Sequence, residues 1–219
     1  MANFLSEGRF MAHVHSIHWR VEPVASPRPI RHCGTCGGNR PFISSGKVRL
    51  NANGRRLDAW LIYKCETCDR TWNLPLVERA SVAAISEETL QALHHSDPAW
   101  IRDIERDLAL LGRHCHQIDI PPEVMVTADP VSAPEGWSQI EIVITAPPST
   151  AQRLDRLLAH QLGLARSELQ AMWQEGGLVI DGGSERALRK PLGGGITVRL
   201  VADRIAEGRL LKLAKALGG

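Results

Sequence analysis

The chain is expected to fold as an α+β protein built from successive modules, because its hydrophobic period changes twice along 219 residues. Strand-like alternation on both sides of Asn53-Gly54 gives way to helical spacing between residues 78 and 113, and a helix, helix, strand, strand pattern follows Ser149. A second observation organises the first module: Cys33-Gly-Thr-Cys36 and Cys65-Glu-Thr-Cys68 bracket twenty-eight residues, room for a β-hairpin between two knuckles. Four thiolates so placed close a tetrahedral shell that suits a structural Zn²⁺ and leaves no open position for catalysis. The expected architecture is an N-terminal extension (1–15), a zinc ribbon (16–77), an acidic helical segment (78–118), a linker and strand (119–148), a small α+β domain (149–202) and a C-terminal helix (203–219).

Taken in order, Ser16 to Glu22 alternates as a strand does, and three prolines between Pro23 and Pro29 break it. Asn53-Gly54 is a strong two-residue hairpin turn signal, since both residues tolerate positive φ. Pairing outward from it sets Leu50 opposite Leu57, Val48 opposite Ala59 and Gly46 opposite Leu61 on one face. The other face then carries Arg49 opposite Asp58, Lys47 opposite Trp60 and Asn51 opposite Arg56. Thr71-Trp-Asn-Leu74 supplies a third strand. Beyond it, Ser86 caps a short helix bearing Leu90 and Leu93, and Asp97-Pro98 opens another with Trp100, Ile101, Ile104, Leu108 and Leu111 on one stripe, ending near Gly112. Residues 119–138 are rich in proline, aspartate and small residues and are read as a linker or an extended excursion over the surface, after which Ile140, Ile142 and Ile144 alternate as a half-buried strand leading to Pro147-Pro148. His32 is read as a group supporting the first cysteine ligand or lying on the surface, the pair His94-His95 as a solvated helix end, and Cys115, in His114-Cys-His116, as a buried or idle thiol.

In the last third, Ser149 or Thr150 is expected to cap a helix that turns Leu154, Leu157, Leu158 and Leu162 inward and leaves Arg153 and Arg156 on its other side. A second helix, about Ser167 to Glu175, offers Leu169, Met172 and Trp173 to the core. Gly176-Gly177 stops it, Leu178-Val-Ile180 forms a strand, Asp181-Gly182 turns, and Ile196 to Val201 returns. Arg153-Leu-Asp-Arg-Leu-Leu-Ala159, Leu164-Ala-Arg-Ser167, Gly177-Leu-Val-Ile-Asp-Gly182 and Arg189-Lys-Pro-Leu192 together resemble the alpha-L RNA-binding motif of small-subunit ribosomal protein four. That resemblance implies a surface of basic side chains facing structured RNA, here Arg153, Arg156, Arg166 and Lys190. Separately, Phe42 to Asn53, Trp60 to Cys65 and Thr71-Trp-Asn73 are similar to an uncharacterised bacterial family, domain of unknown function 1062, over most of residues 16–120. It implies a zinc ribbon and no particular activity.

The net charge of +2 conceals an uneven distribution: residues 1–77 are basic, 78–148 acidic, and the remainder mildly basic again. That pattern is compatible with nucleic-acid contact at the ends, or with an acidic middle docking on the basic modules. No apolar run reaches the roughly 18 residues of a membrane span, and the opening residues show no secretory signal. A cytoplasmic protein is therefore expected, in which the four knuckle cysteines bind metal rather than form disulfides.

The leading functional expectation is a non-enzymatic, zinc-containing RNA-binding accessory protein that acts on rRNA or tRNA, with ribosome association in view. Within the ribbon, Lys47, Arg49, Arg55, Arg56 and Trp60 are candidate contacts, cations for phosphate and an aromatic ring for a base. Two alternatives stay open: a protein-binding adaptor that uses the same modules as scaffolds, and an RNA-modifying enzyme. No Ser/His/Asp order or phosphate-cradling glycine loop is present, so no catalytic residue is assigned.

Overall fold

A computed structural model describes residues 14–129 and 137–217. The chain forms two units, one of residues 23–123 and one that joins residues 124–219 to the chain before residue 23. The described residues hold two five-stranded sheets and six α-helices, none long and apolar enough to cross a membrane. Most of the expected N-terminal extension, and residues 130–136 of the expected linker, lie outside the described residues.

The first strand, β1 (Val14–Pro23), belongs to the sheet of the second unit and not to the cysteine module. Its buried residues Ile17, Trp19 and Val21 carry the alternation legible in the sequence. Its partner, however, is a strand more than a hundred residues further on. That correction also removes the expected module boundary at residue 16.

In the unit of residues 23–123, β2 (Arg28–Cys33), β3 (Gly38–Asn53), β4 (Arg56–Cys65), β5 (Thr71–Ser81) and β6 (Gln117–Asp119) stand in the order β5-β4-β3-β2-β6. The hairpin register differs by two residues from the expected one: Asn53 faces Arg56, Ala52 Leu57, Leu50 Ala59 and Val48 Leu61. The turn is thus Gly54-Arg55, with Gly54 at φ 59 in the first central position, where a type II′ turn takes glycine. A shift of two preserves each side chain's face, because the period of a strand is two. Leu57, Ala59, Leu61 and Tyr63 are therefore buried as the pattern required, and an irregularity between Ser44 and Val48 absorbs Gly46.

The apolar face is covered by α1 (Glu87–His95), α2 (Pro98–Arg106) and α3 (Leu108–Gly112). Ser86 Oγ accepts from the Thr89 N–H at 3.2 Å, and Asp97 Oδ1 accepts from Ala99 and Trp100, as their cap positions predict. The single long stripe expected from Pro98 to Gly112 is two helices. Asp107 ends one and its Oδ1 accepts from the Leu110 N–H to start the next, and the bend lets Ile101, Leu110 and Leu111 all reach Phe42, Leu61, Tyr63 and Leu74.

The other unit has sheet order β7-β1-β8-β10-β9, with β7 (Val124–Ala128), β8 (Gln139–Ala146), β9 (Leu178–Ile180) and β10 (Gly194–Val201). β1 runs parallel to β8, Ile17 beside Ile142, and β10 runs antiparallel to it, Val198 beside Ile142. The expected linker and strand of 119–148 therefore supplies two strands of this sheet, β7 where a linker was expected and the expected strand β8. Helices α4 (Leu154–Leu162), α5 (Arg166–Gln174) and α6 (Glu207–Leu217) pack with this sheet around Leu157, Leu158, Leu162, Leu169, Met172 and Leu213. Neither Ser149 nor Thr150 caps α4. The helix begins three residues later behind Arg153, and both hydroxyls are buried without a partner among the described residues. Helix α6 docks on α5 through Arg209 to Glu175 and Lys212 to Glu168, each at 2.8 Å.

One glycine between α5 and β9 holds this unit together by being small. The Gly177 N–H donates to the Met172 carbonyl, its own carbonyl accepts from Val201, and an added Cβ would stand 2.7 Å from the Arg204 carbonyl oxygen. Because backbone on both sides would have to move, Gly177→Ala is expected to destabilise this unit by about 1–3 kcal/mol. The check is a lower denaturant midpoint for this unit with the cysteine unit unchanged.

Candidate metal centre and arginine cavity

The two knuckles are made alike. Each is the turn between two antiparallel neighbours, β2 to β3 and β4 to β5, and in each the residue after the second cysteine donates back to the first cysteine's carbonyl. Gly37 reaches Cys33 at 2.9 Å and Asp69 reaches Cys65 at 3.0 Å. Both take the left-handed region, φ 67 and 60, which Gly enters freely and Asp more readily than most residues. Since Phe42 pairs with Cys65, the register of β3 against β4 brings the two turns to the same end of the sheet.

The Sγ atoms of Cys33, Cys36, Cys65 and Cys68 consequently all lie within 4.8 Å of one another. Cys33 to Cys68 is 3.5 Å and Cys36 to Cys65 is 3.9 Å, too far for disulfides and near the roughly 3.8 Å edge of a tetrahedron with metal–sulfur bonds of about 2.3 Å. All four are free cysteines, Cys33 and Cys65 buried and the other two half-buried. The backbone N–H of Cys36 holds the Cys33 thiol down at about 6. The Cys68 side chain, with burial behind it, pushes Cys36 up to about 12. Uncompensated, the four sulfurs cannot all carry charge, whereas a divalent cation at their centre makes four thiolates favourable. Soft donors in a closed tetrahedron fit Zn²⁺.

The surroundings fix this end of the sheet. The Glu66 N–H donates to the Pro41 carbonyl, and the Glu66 carboxylate pairs with Arg28, which also holds Asp119 of β6. The Arg31 guanidinium lies 4.2 Å over the Trp72 ring and donates to the His114 carbonyl. Cys115 stands apart from the quartet, buried, its thiol donating to the Leu111 carbonyl at 3.2 Å and pushed up by burial. His32 is exposed.

On the sheet face away from the helices, the exposed Arg49 stands across from half-buried Trp60; Arg55 and Arg56 are exposed at the hairpin tip, and Lys47 is exposed in the irregularity between Ser44 and Val48, away from the tip. The expected Arg49 to Asp58 pair does not form. The two-residue change of register puts Asp58 opposite Asn51, and its carboxylate accepts from the Arg79 N–H at 2.7 Å. Arg56 spends one N–H on the Arg79 carbonyl.

In the other unit, Arg153, Arg166 and Arg189 line one cavity of about 440 Å³ with Asp155, Ser167, Leu169, Gln170 and Leu188. Three elements meet there: the residue before α4, the first residue of α5, and the 3-10 turn Glu185–Arg189. Arg153 forks onto Asp155, at 3.1 Å from Nε and 2.6 Å from an outer nitrogen. Arg166 and Arg189 are exposed and have no ion-pair partner among the described residues. The Glu168 carboxylate accepts from the Ala165 N–H that opens α5, and Lys212 beside it holds it below the usual carboxylate range. Of the four basic residues expected to act together, the cavity includes Arg153 and Arg166. Arg156 and Lys190 are exposed outside its lining, and Arg189, which is not one of those four, takes the third position. Lys190 and Arg189 are neighbours in sequence, so only the conformation of the 3-10 turn could choose between them.

Curated proteins and solved structures give no match to the chain. A family model matches residues 50–183, which takes in the second knuckle, the helices of the cysteine unit and the part of the arginine cavity lined by residues 153–170; it begins later and reaches further toward the C-terminus than the expected match over residues 16–120. By that match the chain belongs to the family described as Protein of unknown function (DUF1062).

Proposed function

We propose that this is a non-enzymatic, zinc-containing RNA-binding accessory protein, in which a zinc ribbon and an alpha-L type domain present separate basic surfaces to structured RNA such as rRNA or tRNA. The observation that carries the reading is the shared cavity of Arg153, Arg166 and Arg189. Guanidinium forks suit phosphate groups, two oxygens of which each accept one of a fork's parallel hydrogen bonds; Arg166 and Arg189 bring such forks from two elements, beside Arg153, whose fork holds Asp155. The order α4, α5, β9, 3-10 turn, β10 supports the alpha-L comparison. In the ribbon, the Zn²⁺ is structural, and Arg49, Lys47, Arg55 and Arg56 around Trp60 form the second surface. Joining two weak contacts in one chain raises the effective concentration of the second.

Phosphate contacts release counterions, so affinity for a structured RNA should fall as salt rises. With two or three arginine contacts in the cavity, a log–log slope of about −2 is expected from that surface alone, steeper if the ribbon engages too. Fluorescence anisotropy across a potassium chloride series measures it. A flat salt dependence would remove RNA as the ligand and favour the adaptor, whose contacts need not be ionic.

A further inference from the structure

We propose that the open face of the cysteine unit's sheet is a platform for an unpaired RNA strand, with one base stacked on Trp60. The inference rests on the RNA-binding reading and names the kind of RNA segment that this unit takes. Within the unit, α1, α2 and α3 pack against the face that buries Leu57, Ala59, Leu61 and Tyr63, whereas Trp60, alternating with them along β4, lies on the other face and joins none of the core clusters. It is half-buried, and its ring makes no aromatic or cation contact with a described residue. Register places Arg49 of β3 on one side of it and Pro75 of β5 on the other. Ile62 and Lys64 follow on the same face of β4 at steps of roughly 7 Å, and Lys64 pairs with Ile43, which is 44% exposed.

Charge and shape on this face agree on one occupant. Arg49 and Lys64 are exposed and have no ion-pair partner among the described residues. The acid of the neighbouring row, Asp58, accepts from the Arg79 N–H at 2.7 Å. An acidic peptide would use the two cations and leave the ring idle, because carboxylates offer nothing flat to cover it. A polynucleotide supplies both halves, phosphates for Arg49 and Lys64 and a flat base for Trp60. Bases inside a duplex are stacked on one another and present only their groove edges, so an unpaired strand is what can use the ring. Every base has a π-face, and the platform should therefore separate single strands from duplexes and not one sequence from another.

The full-length, metal-loaded protein is titrated by fluorescence anisotropy with a labelled oligouridine and with an RNA duplex of equal length. Trp60→Leu is expected to weaken oligouridine binding about tenfold, the loss of one stacked base, and to leave duplex binding nearly unchanged. Trp60→Phe keeps a ring and should recover most of that loss. Because Trp60 lies outside the core, both variants should retain the far-UV spectrum and melt of the unaltered protein. Lys64→Ala, on the exposed surface, should reduce the log–log salt slope for oligouridine by about 0.7, the value of one phosphate contact on a single strand. If the Leu and Phe variants bind oligouridine as the unaltered protein does, or weaken alike, the platform is overturned and the RNA reading stands on the arginine cavity. Polyglutamate bound as tightly as oligouridine at equal salt would overturn it in favour of an acidic protein segment. Failure of the unaltered protein to bind either RNA at low salt would overturn both.

Discussion

Stripping the metal from this protein is expected to abolish the cooperative unfolding transition of residues 23–123 while the other unit melts as before. The physical reason lies in where the cysteines sit. Cys33 and Cys65 are part of the same buried cluster as Phe42, Leu61, Tyr63 and Leu74, so the candidate metal centre is one wall of the core. A structural Zn²⁺ in such a shell contributes about 10–16 kcal/mol of apparent binding free energy at neutral pH, more than a typical domain's total stability of about 5–15 kcal/mol. Without the cation, four sulfurs within 4.8 Å must share protons, and the two turns are held only by their backbone hydrogen bonds. Cys36→Ser, Cys68→Ser and treatment with a chelator should act alike. The measurements are metal content by elemental analysis, expected at one zinc per chain, and thermal unfolding followed by amide signals assigned to each unit. A melt indifferent to the chelator, or protein purified under reducing conditions without bound metal, would rule the centre out.

Reversing the charge of Arg166 and Arg189 together should lower RNA affinity by about a hundredfold. Each charge-assisted hydrogen bond to phosphate contributes about 1.5–3 kcal/mol, and two such losses amount to roughly 3 kcal/mol or more, two decades in dissociation constant. Both side chains are exposed, so the double Glu variant should fold. Arg153 is left in place because it positions Asp155, which is only 9% exposed and would lose its partner. The informative comparison is Arg156→Glu with Lys190→Glu, the same change of charge on the same unit but outside the cavity. If the two double variants weaken binding equally, the contact is a diffuse basic surface and the cavity is not its centre. If neither does, RNA engages the protein elsewhere.

Much of the cysteine unit is legible in the amino-acid sequence. Knuckle spacing, the hairpin, Ser86 and Asp97-Pro98 are local signals, each decided within a few residues by turn chemistry, capping or strand period, and the structure contains all of them. Where the structure departs from the expected elements, two local solutions are equally good. Gly54-Arg55 and Asn53-Gly54 both turn a hairpin while keeping Leu57, Ala59 and Leu61 on one face, so pattern alone does not separate registers two residues apart. Likewise the stripe from Trp100 to Leu111 fits one straight helix as well as two, and it is Asp107, capping the second, that divides it.

By itself the sequence determined most element types and the pairing of two cysteine knuckles, because periodicity, caps and Cys-x-x-Cys spacing act over short range. Only the tertiary structure decided which distant pieces share a sheet or a site. The parallel pairing of β1 with β8 depends on a hydrophobic core assembled from both ends of the chain. The grouping of Arg153 and Arg166 with Arg189, and not with Arg156 or Lys190, depends on how a 3-10 turn lies against the starts of two helices. Long-range pairing of this kind is selected by total burial, a quantity no window of neighbouring residues contains.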